Sequence, residues 1–576
     1  MNCTSETQGP RVHSLAFAAW GAAMKIVVVT RLIARRLFGF FFALLALACA
    51  VPAHAHVGNK DIFEQVKAGS YTLFVTIRTP QVIPGVATVE VRTSGAPITS
   101  LTITPMMLTG EASKHPPTAD PLVRSTDDPS FFSGSVWLMA RGSWQVRFTA
   151  DGAQGSATAS VPVPAAALSM LRMDKGMGAI LAALGLLLIV GAVGIVMAAT
   201  SEARLIPEAQ PTPERRKRAI LAGAATLVLM VGAVWLGGKW WNVEAADYAD
   251  GIYRSSELRP RLVGDQLTLS IGSPDKTAHN GWHTVDATDL LPDHGKLMHL
   301  YAIRMPEMDA VFHLHPTVSN SVRLTQEQTE ALRRAHDSGH SATIISGSIF
   351  GSSTSVLQEN LPAMPPGTYK LFADIVYLNG FPETETATLT VPAGMSTAPL
   401  APEDASASPP PLSAGELGTS YKLPDGYTMV WAKPATIDAN RGYGFQFTLL
   451  DKTGKPATDM EPYLGMAGHA AFVKTDLTAF AHTHPEGSAA MPAMMLANAS
   501  TSAGQTGSNM TGSDMTMGST DMPGMDMSAM PGMAHAALSP TVTFPYGFPS
   551  PGRYRIFIQM KHAGTVETGV FDAEVK

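Results

Sequence analysis

The chain has 576 residues, enough for several domains, and a mild formal net charge of −6, spread without clusters, so no nucleic-acid partner is expected. Only Cys3 and Cys49 are present, both near the N-terminus, which excludes a structural disulfide or a thiolate metal site in the body of the protein. Soft-metal chemistry must therefore come from the 30 methionines and 17 histidines, although Met serves equally well as core filler.

Residues 1–55 read as a pre-sequence. From Met24 the chain has the basic front, apolar middle and small-residue end of a secretory signal. Ala53-His54-Ala55 fits a cleavage site and would make His56 the mature N-terminus. A free N-terminal His chelates Cu(II) through amine and imidazole together, against the plainer reading of an incidental residue. Lipidation at Cys49 is a further alternative, but ALAC has Ala46 where a larger aliphatic is usual.

Residues 56–165 carry short alternating runs such as YTLFVTIR, ATVEVRT and WQVRFTA between Pro, Gly and Ser turns, which predict an Ig-like sandwich. His115, in the loop SKHPPT, is not read as a ligand. Two uncharged apolar runs follow at 177–200 and 219–238, each long enough to span a bilayer as a helix. The intervening loop, 201–218, holds Arg204, Arg215, Arg216, Lys217 and Arg218. The positive-inside rule puts it in the cytoplasm, with Trp235, Trp240 and Trp241 at the outer interface. The spans hold no ionisable residue and read as an anchor. The expected location is the cell inner membrane, with the large domains on the periplasmic side.

A second β-domain is expected at 242–393, then a Pro/Ser/Ala linker at 394–417 too poor in apolar residues to fold alone, then a third β-domain at 418–576. The two later domains repeat an order of features. DHGKLMHLYAIRMPEMDAVFHLHP answers to PYLGMAGHAAFVKTDLTAFAHTHP, and PPGTYKLFADI answers to SPGRYRIFIQM. Each repeat has one His in a first strand and a His-x-His-Pro closing a second: His299 with His313 and His315, then His469 with His482 and His484. Residues i and i+2 of a strand share a face, so each pair presents two imidazoles side by side. The preceding His can return beside them on the neighbouring strand. Three imidazoles suit a three- or four-coordinate copper or zinc site, one per domain. His279, His283, His294 or a Met could complete the site of the second domain, and Met560 and His562 form another i, i+2 pair in the third. The plainer alternative is a polar turn with satisfied rings. His336 and His340 read as a solvated helix face.

Inside the third domain lies a 52-residue insertion, 486–537, with eleven methionines and no Lys, Arg or aromatic residue. A flexible linker is the plain alternative, but Met suits a solvated linker poorly and no periodic apolar face is evident. Thioether sulfur is a soft ligand for Cu(I), so the segment reads as a copper-collecting loop. Its densest part holds Met522, Met525, Met527, Met530 and Met533, followed by His535. Asp514, Asp521 and Asp526 would keep it soluble.

PYLGMAGHAAFVKTDLTAFAHTHP resembles the signature of YtkA-like/FixH-like extracytoplasmic β-domains, and the second domain carries a looser copy with His299, His313 and His315 at matching places. That resemblance implies Ig-like modules in bacterial membrane proteins tied to copper handling and respiratory oxidase assembly. The Met-rich run resembles segments of periplasmic copper-resistance proteins. No multicopper-oxidase His-Cys-His motif and no catalytic triad stands out, so no enzyme is expected. The expectation is a mainly β protein, Ig-like sandwich modules plus a two-helix transmembrane hairpin, that binds copper (with zinc the alternative) and passes it to another envelope copper protein. A non-enzymatic envelope interaction or assembly protein with structural histidines is the other reading.

Overall fold

Period-two alternation builds the first module. In the strand Tyr71–Arg78, the residues Tyr71, Leu73, Val75 and Ile77 are buried while their neighbours are half-exposed, the signature of a sheet covered on one face. A computed structural model of the chain describes residues 61–171, 173–203, 205–206, 209–272, 289–318, 356–395, 398–503 and 538–576. All of them fall within one compact unit, Val57–Lys576. The pre-sequence with Cys49 and His56, and also His279, His283, His336 and His340, lie outside the described residues.

The protein is mainly β, with three two-sheet antiparallel sandwiches. Module one stacks the sheet ordered Asp61–Ala68, Tyr71–Arg78, Gly85–Gly95, Phe131–Leu138, Val123–Arg124 on the sheet Asp120–Pro121, Ile98–Met107, Gly142–Gly152, Gly155–Ala165. Two long apolar helices follow, Lys175–Glu202 and Pro213–Asp250, both long and apolar enough to cross a membrane. The first is capped by Asp174, whose side chain accepts from the Met177 amide; the second starts with Thr212 as cap and Pro213 in its first turn. They pack together through Gly223, where a Cβ would come within 2.6 Å of the Met197 side chain. The second helix runs past the expected end at 238, because no Pro interrupts KWWNVEAADYAD, and stops at Gly251.

Modules two and three share one plan. In module two, the sheet facing its partner is ordered Pro382–Val391, Gly367–Val376, His299–Met305, Val311–Leu314, Ala405–Ala407. In module three, Thr565–Val575 pairs with Gly552–His562, which pairs with His469–Lys474, which pairs with Phe480–Thr483. The registers match as well: Tyr301 pairs with His313 and Phe372, while Ala471 pairs with His482 and Phe557.

These two sheets bury their outer faces against each other. One cluster joins Tyr301, Ile303, Val311 and Phe372 to Ala471, Val473, Phe480 and Phe557, so equivalent positions of the repeat meet across the contact. Phe372 stacks on Phe480 at 4.3 Å between centroids, which adds about 0.5–1.5 kcal/mol beyond the burial of the rings. The buried Arg555 completes the seam. Its guanidinium forms a two-pronged pair with Asp572 at 2.9 and 3.0 Å and donates to the carbonyls of Met308 and Pro410.

Two expected boundaries change. The 394–417 linker is not a free chain: Ala405–Ala407 adds a strand to module two, and Asp404 and Ala405 are buried. It folds because it borrows a sheet edge and not because it has a core of its own. The insertion at 486–537 is not uniform either. Met491–Ala503 is a helix whose Ala493 and Ala497 pack on Leu108 of module one, so core packing accounts for its opening segment. A small alanine face had left no strong apolar period in the sequence. The remainder of the insertion, with Met522, Met525, Met527, Met530, Met533 and His535, lies outside the described residues.

Candidate metal centre

Each His-x-His hairpin does what strand geometry asks of it. The antiparallel ladder of Leu300 with Leu314 sets His299 opposite His315, and that of Ala470 with Thr483 sets His469 opposite His484. Within each pair the rings lie side by side, with centroids 4.5 Å apart for His313 and His315 and 4.8 Å for His482 and His484. A tight turn precedes each first strand, Asp293 pairing with Lys296 and Tyr463 with Met466. His294 and Leu464 occupy equivalent places in those turns with the same φ of 50°.

Because the two sheets face each other, the six histidines meet in one buried pool instead of forming one site per module. His294 joins them as a seventh. The ring centroids of His299 and His482 are 4.9 Å apart, and those of His294 and His484 are 4.6 Å apart. Ligand atoms within 4.8 Å of one another fall into two mixed triads, His299 with His313 and His482, and His294 with His469 and His484. The expected grouping by domain, with His315 in the first set, is thus rearranged. His315 stays in the pool, 5.0 Å from His299 between centroids.

Hydrogen bonds hold the rings from behind. The Nε2–H of His299 donates to the Asp293 carbonyl at 3.1 Å, and the Nδ1–H of His313 donates to Gln559 Oε1 at 2.8 Å. Gln559 Oε1 also accepts from the Tyr301 hydroxyl, and the Tyr463 hydroxyl donates to the Glu403 carbonyl, which leaves both partners oriented as acceptors toward His313. His299 Nδ1 and His313 Nε2 face each other, 3.1 Å apart. His482 Nδ1 lies 3.3 Å from Asp374 Oδ2 and His315 Nδ1 lies 2.9 Å from Asp404 Oδ1. Their Nε2 atoms, together with that of His484 and both nitrogens of His469, are buried without a hydrogen-bond partner.

Burial drives the ring pKa values of His299, His313, His315, His469 and His484 well below the ordinary 6.5, and the neighbouring imidazoles push the same way. His294 is lowered to about 4, again chiefly by burial. Neutral imidazole is the form that binds a metal. So many orphaned lone pairs in one place are costly in a native core, and a soft or borderline cation would satisfy them. The residues present fit such an ion in type, protonation state and aim. The supporting carboxylates and carbonyls match the usual orienting shell of metal-bound histidine.

A cleft lined by Lys296, His315, Gln358, Glu359, Glu403 and Asp404 reaches the pool at His315. Burial raises the carboxyl of Glu359 to about 7 and that of Asp404 to about 6. On the other side, Asp293 Oδ1 accepts from the backbone amide of Met491 at 3.1 Å, so the Met-rich insertion begins against the pool. His115 is exposed beside Glu111 in module one. Met560 lies in the core of module three, and His562 stacks on Tyr427; neither is in the pool. Sequence reasoning missed Asp293, Asp374, Asp404 and Gln559. Asp374 and Gln559 could have been found, since they occupy equivalent places in the aligned motifs TYKLFADI and RYRIFIQM.

A family described as a domain of unknown function (DUF8832) matches residues 421–508 and 525–576, which is module three without part of its insertion. No curated protein matches the chain. Among solved structures, an engineered protein is 21% identical over 16% of this chain, with a TM-score of 0.13; the match spans 20% of that protein's length. A 1.5-MDa bacterial ice-binding adhesin is 8% identical, covering 89% of this chain and 99% of that one at a TM-score of 0.13. The Escherichia coli alpha-2-macroglobulin activated by porcine elastase is 10% identical, covering 89% and 35% at 0.17. Superpositions this loose identify no shared function.

Proposed function

We propose that this chain is a membrane-anchored, non-enzymatic metal-binding protein that captures copper in the histidine pool between modules two and three. The observation that carries the reading is the set of buried imidazole nitrogens without a hydrogen-bond partner, on His294, His315, His469, His482 and His484, gathered in one cluster. Buried polar atoms left without partners are costly, and a cation among them would satisfy them. An all-imidazole ligand set favours Cu(II) over Zn(II) by affinity order and accepts Cu(I) in low coordination. His299, His313 and His482 would hold one ion and His294, His469 and His484 a second, with His315 at the mouth of the pool. The methionines of the insertion would act before the pool. They would collect Cu(I) at many weak sites and raise its local concentration beside His484.

The two apolar helices and the basic stretch between them support an inner-membrane anchor with all three modules on the periplasmic side. The YtkA-like/FixH-like resemblance accords with delivery to another envelope copper protein. Titration of the full chain in detergent with Cu(I) and Zn(II), beside a variant lacking residues 504–537, tests the reading. The expected result is tight Cu(I) uptake by both proteins, with a lower capacity in the deletion. No Cu(I) binding by either would sink it and favour the envelope-interaction alternative.

A further inference from the structure

Away from the histidine pool, module three gathers a second set of metal-ligating side chains at the end of the strand Gly552–His562. His562 and Gln559 are three residues apart on that strand. They therefore point to opposite faces, about 10 Å apart along it. His562 is 2% exposed, and its ring lies flat on Tyr427 at 4.1 Å between centroids. Asp459 Oδ2 lies 3.4 Å from Nδ1 and Asp425 Oδ2 lies 3.3 Å from Nε2. Each carboxylate is held from behind: Asp459 accepts from the Tyr427 hydroxyl at 3.1 Å, and Asp425 Oδ1 accepts from the Tyr427 amide at 3.0 Å. Glu567, buried on the adjacent strand, completes a group in which Asp425, His562 and Glu567 bring their ligand atoms within 4.8 Å of one another.

We infer that Asp425, His562 and Glu567 form a second, independent binding site for a divalent cation of the zinc class. Asp459 is its orienting residue. The arrangement is directional. A carboxylate on Nδ1 holds the ring and leaves Nε2, buried and without a hydrogen-bond partner, aimed at the other two carboxylates, which is the order found in carboxylate–histidine–zinc sites. The donor set separates the two centres chemically. One imidazole and two carboxylates suit a borderline divalent ion with a position left for water, whereas the pool between the modules offers nitrogen alone.

The experiment is a Zn(II) titration of the metal-free full chain in detergent, counting bound metal, with Cu(I) titrated in parallel. Asp425→Asn keeps an Oδ1 for the turn bond to Tyr427 and changes only the ligand oxygen. His562→Gln removes the imidazole. Each should abolish one Zn(II) equivalent or weaken it at least tenfold, with Cu(I) capacity unchanged. Full Zn(II) stoichiometry and affinity in both variants overturns the inference and leaves His562 as a ring held between two carboxylates. Parallel loss of Cu(I) in Asp425→Asn also overturns it, because the two centres would not be independent. Failure of the wild type to bind Cu(I) while it still loses one Zn(II) in the variants refutes the copper reading and leaves this site standing.

Discussion

Asp374 and Gln559 occupy the same position in the two repeats, and each reaches across to a histidine of the other module. Asp374 pairs along its own ladder with His299, and its carboxylate lies 3.3 Å from His482; Gln559 pairs with His469 and bonds His313 at 2.8 Å. This is the reciprocity of a twofold interface written into one chain, with one difference: the support is charged on one side and neutral on the other. A carboxylate behind His482 fixes the orientation of its ring and so the aim of Nε2. Asp374→Asn should therefore weaken Cu(I) binding by about 10–100-fold, while Asn keeps the bond from Thr384. Competition against a Cu(I) chelator measures it, and unchanged affinity would show that the carboxylate has no part in holding the ion.

Proton competition gives an independent check. Histidines with depressed pKa values are already neutral at pH 7 and remain so below 6.5, so an incoming ion displaces few protons from them. His294, lowered to about 4, stays neutral over the same range. Cu(I) affinity should stay within about threefold between pH 7.5 and 6. A site of exposed histidines with ordinary values near 6.5 would lose affinity steadily over the same range. Titrations in buffers of different ionisation heat count the released protons directly. Release of two or more per ion at pH 7 would contradict the neutral pool.

The pool exists only while modules two and three stay together, and Arg555 is the residue most exposed to a test of that. Its charge is fully buried and shared between Asp572 and two carbonyls of module two and the linker. Burial would raise the Asp572 carboxyl, but bonds from Arg555 and Arg553 hold it below the usual range. Arg555→Met leaves that carboxylate only Arg553 and the Leu417 amide. Breaking such a buried pair costs about 3–5 kcal/mol. Urea unfolding of the metal-free full chain should show the loss, together with weaker Cu(I) binding as the seam loosens. A change below about 1 kcal/mol would place the stability of the contact in its apolar cluster instead.

What the sequence made legible follows from what is local. The strands of module one are visible because Tyr71, Leu73, Val75 and Ile77 alternate, and the hairpins are visible because His313 and His315 sit two apart. The spacing could not reveal that the two hairpins face each other. That depends on Ile303, Val311, Phe372, Val473 and Phe557, which read as ordinary strand residues until both faces of each sheet are seen to be buried. The regrouping of the histidines follows from the same contact. Asp404 was lost for another reason: it lies in a stretch whose composition reads as linker, and only an open sheet edge beside Val311–Leu314 orders it.

The start of the Met-rich insertion offers the last test. Helix Met491–Ala503 lies in a seat with Leu108 of module one on one side and Gly380 of module two on another. A Cβ on Gly380, whose φ is +78°, would come within 2.5 Å of Leu108 and 3.2 Å of Leu496. Ala493 and Ala497 are buried there because only small side chains let the helix approach. Ala497→Leu adds three carbons to a filled space, at a cost of about 1–3 kcal/mol. That strain falls on a short helix whose hold on the body includes the bond from the Met491 amide to Asp293. The helix should leave its seat while the sandwiches remain folded. Limited proteolysis should then cut within residues 491–503, where the wild type is protected. Loading of the pool from dilute Cu(I) should slow, with its equilibrium affinity unchanged. Equal loading rates in the two proteins would separate the methionines from the capture of copper.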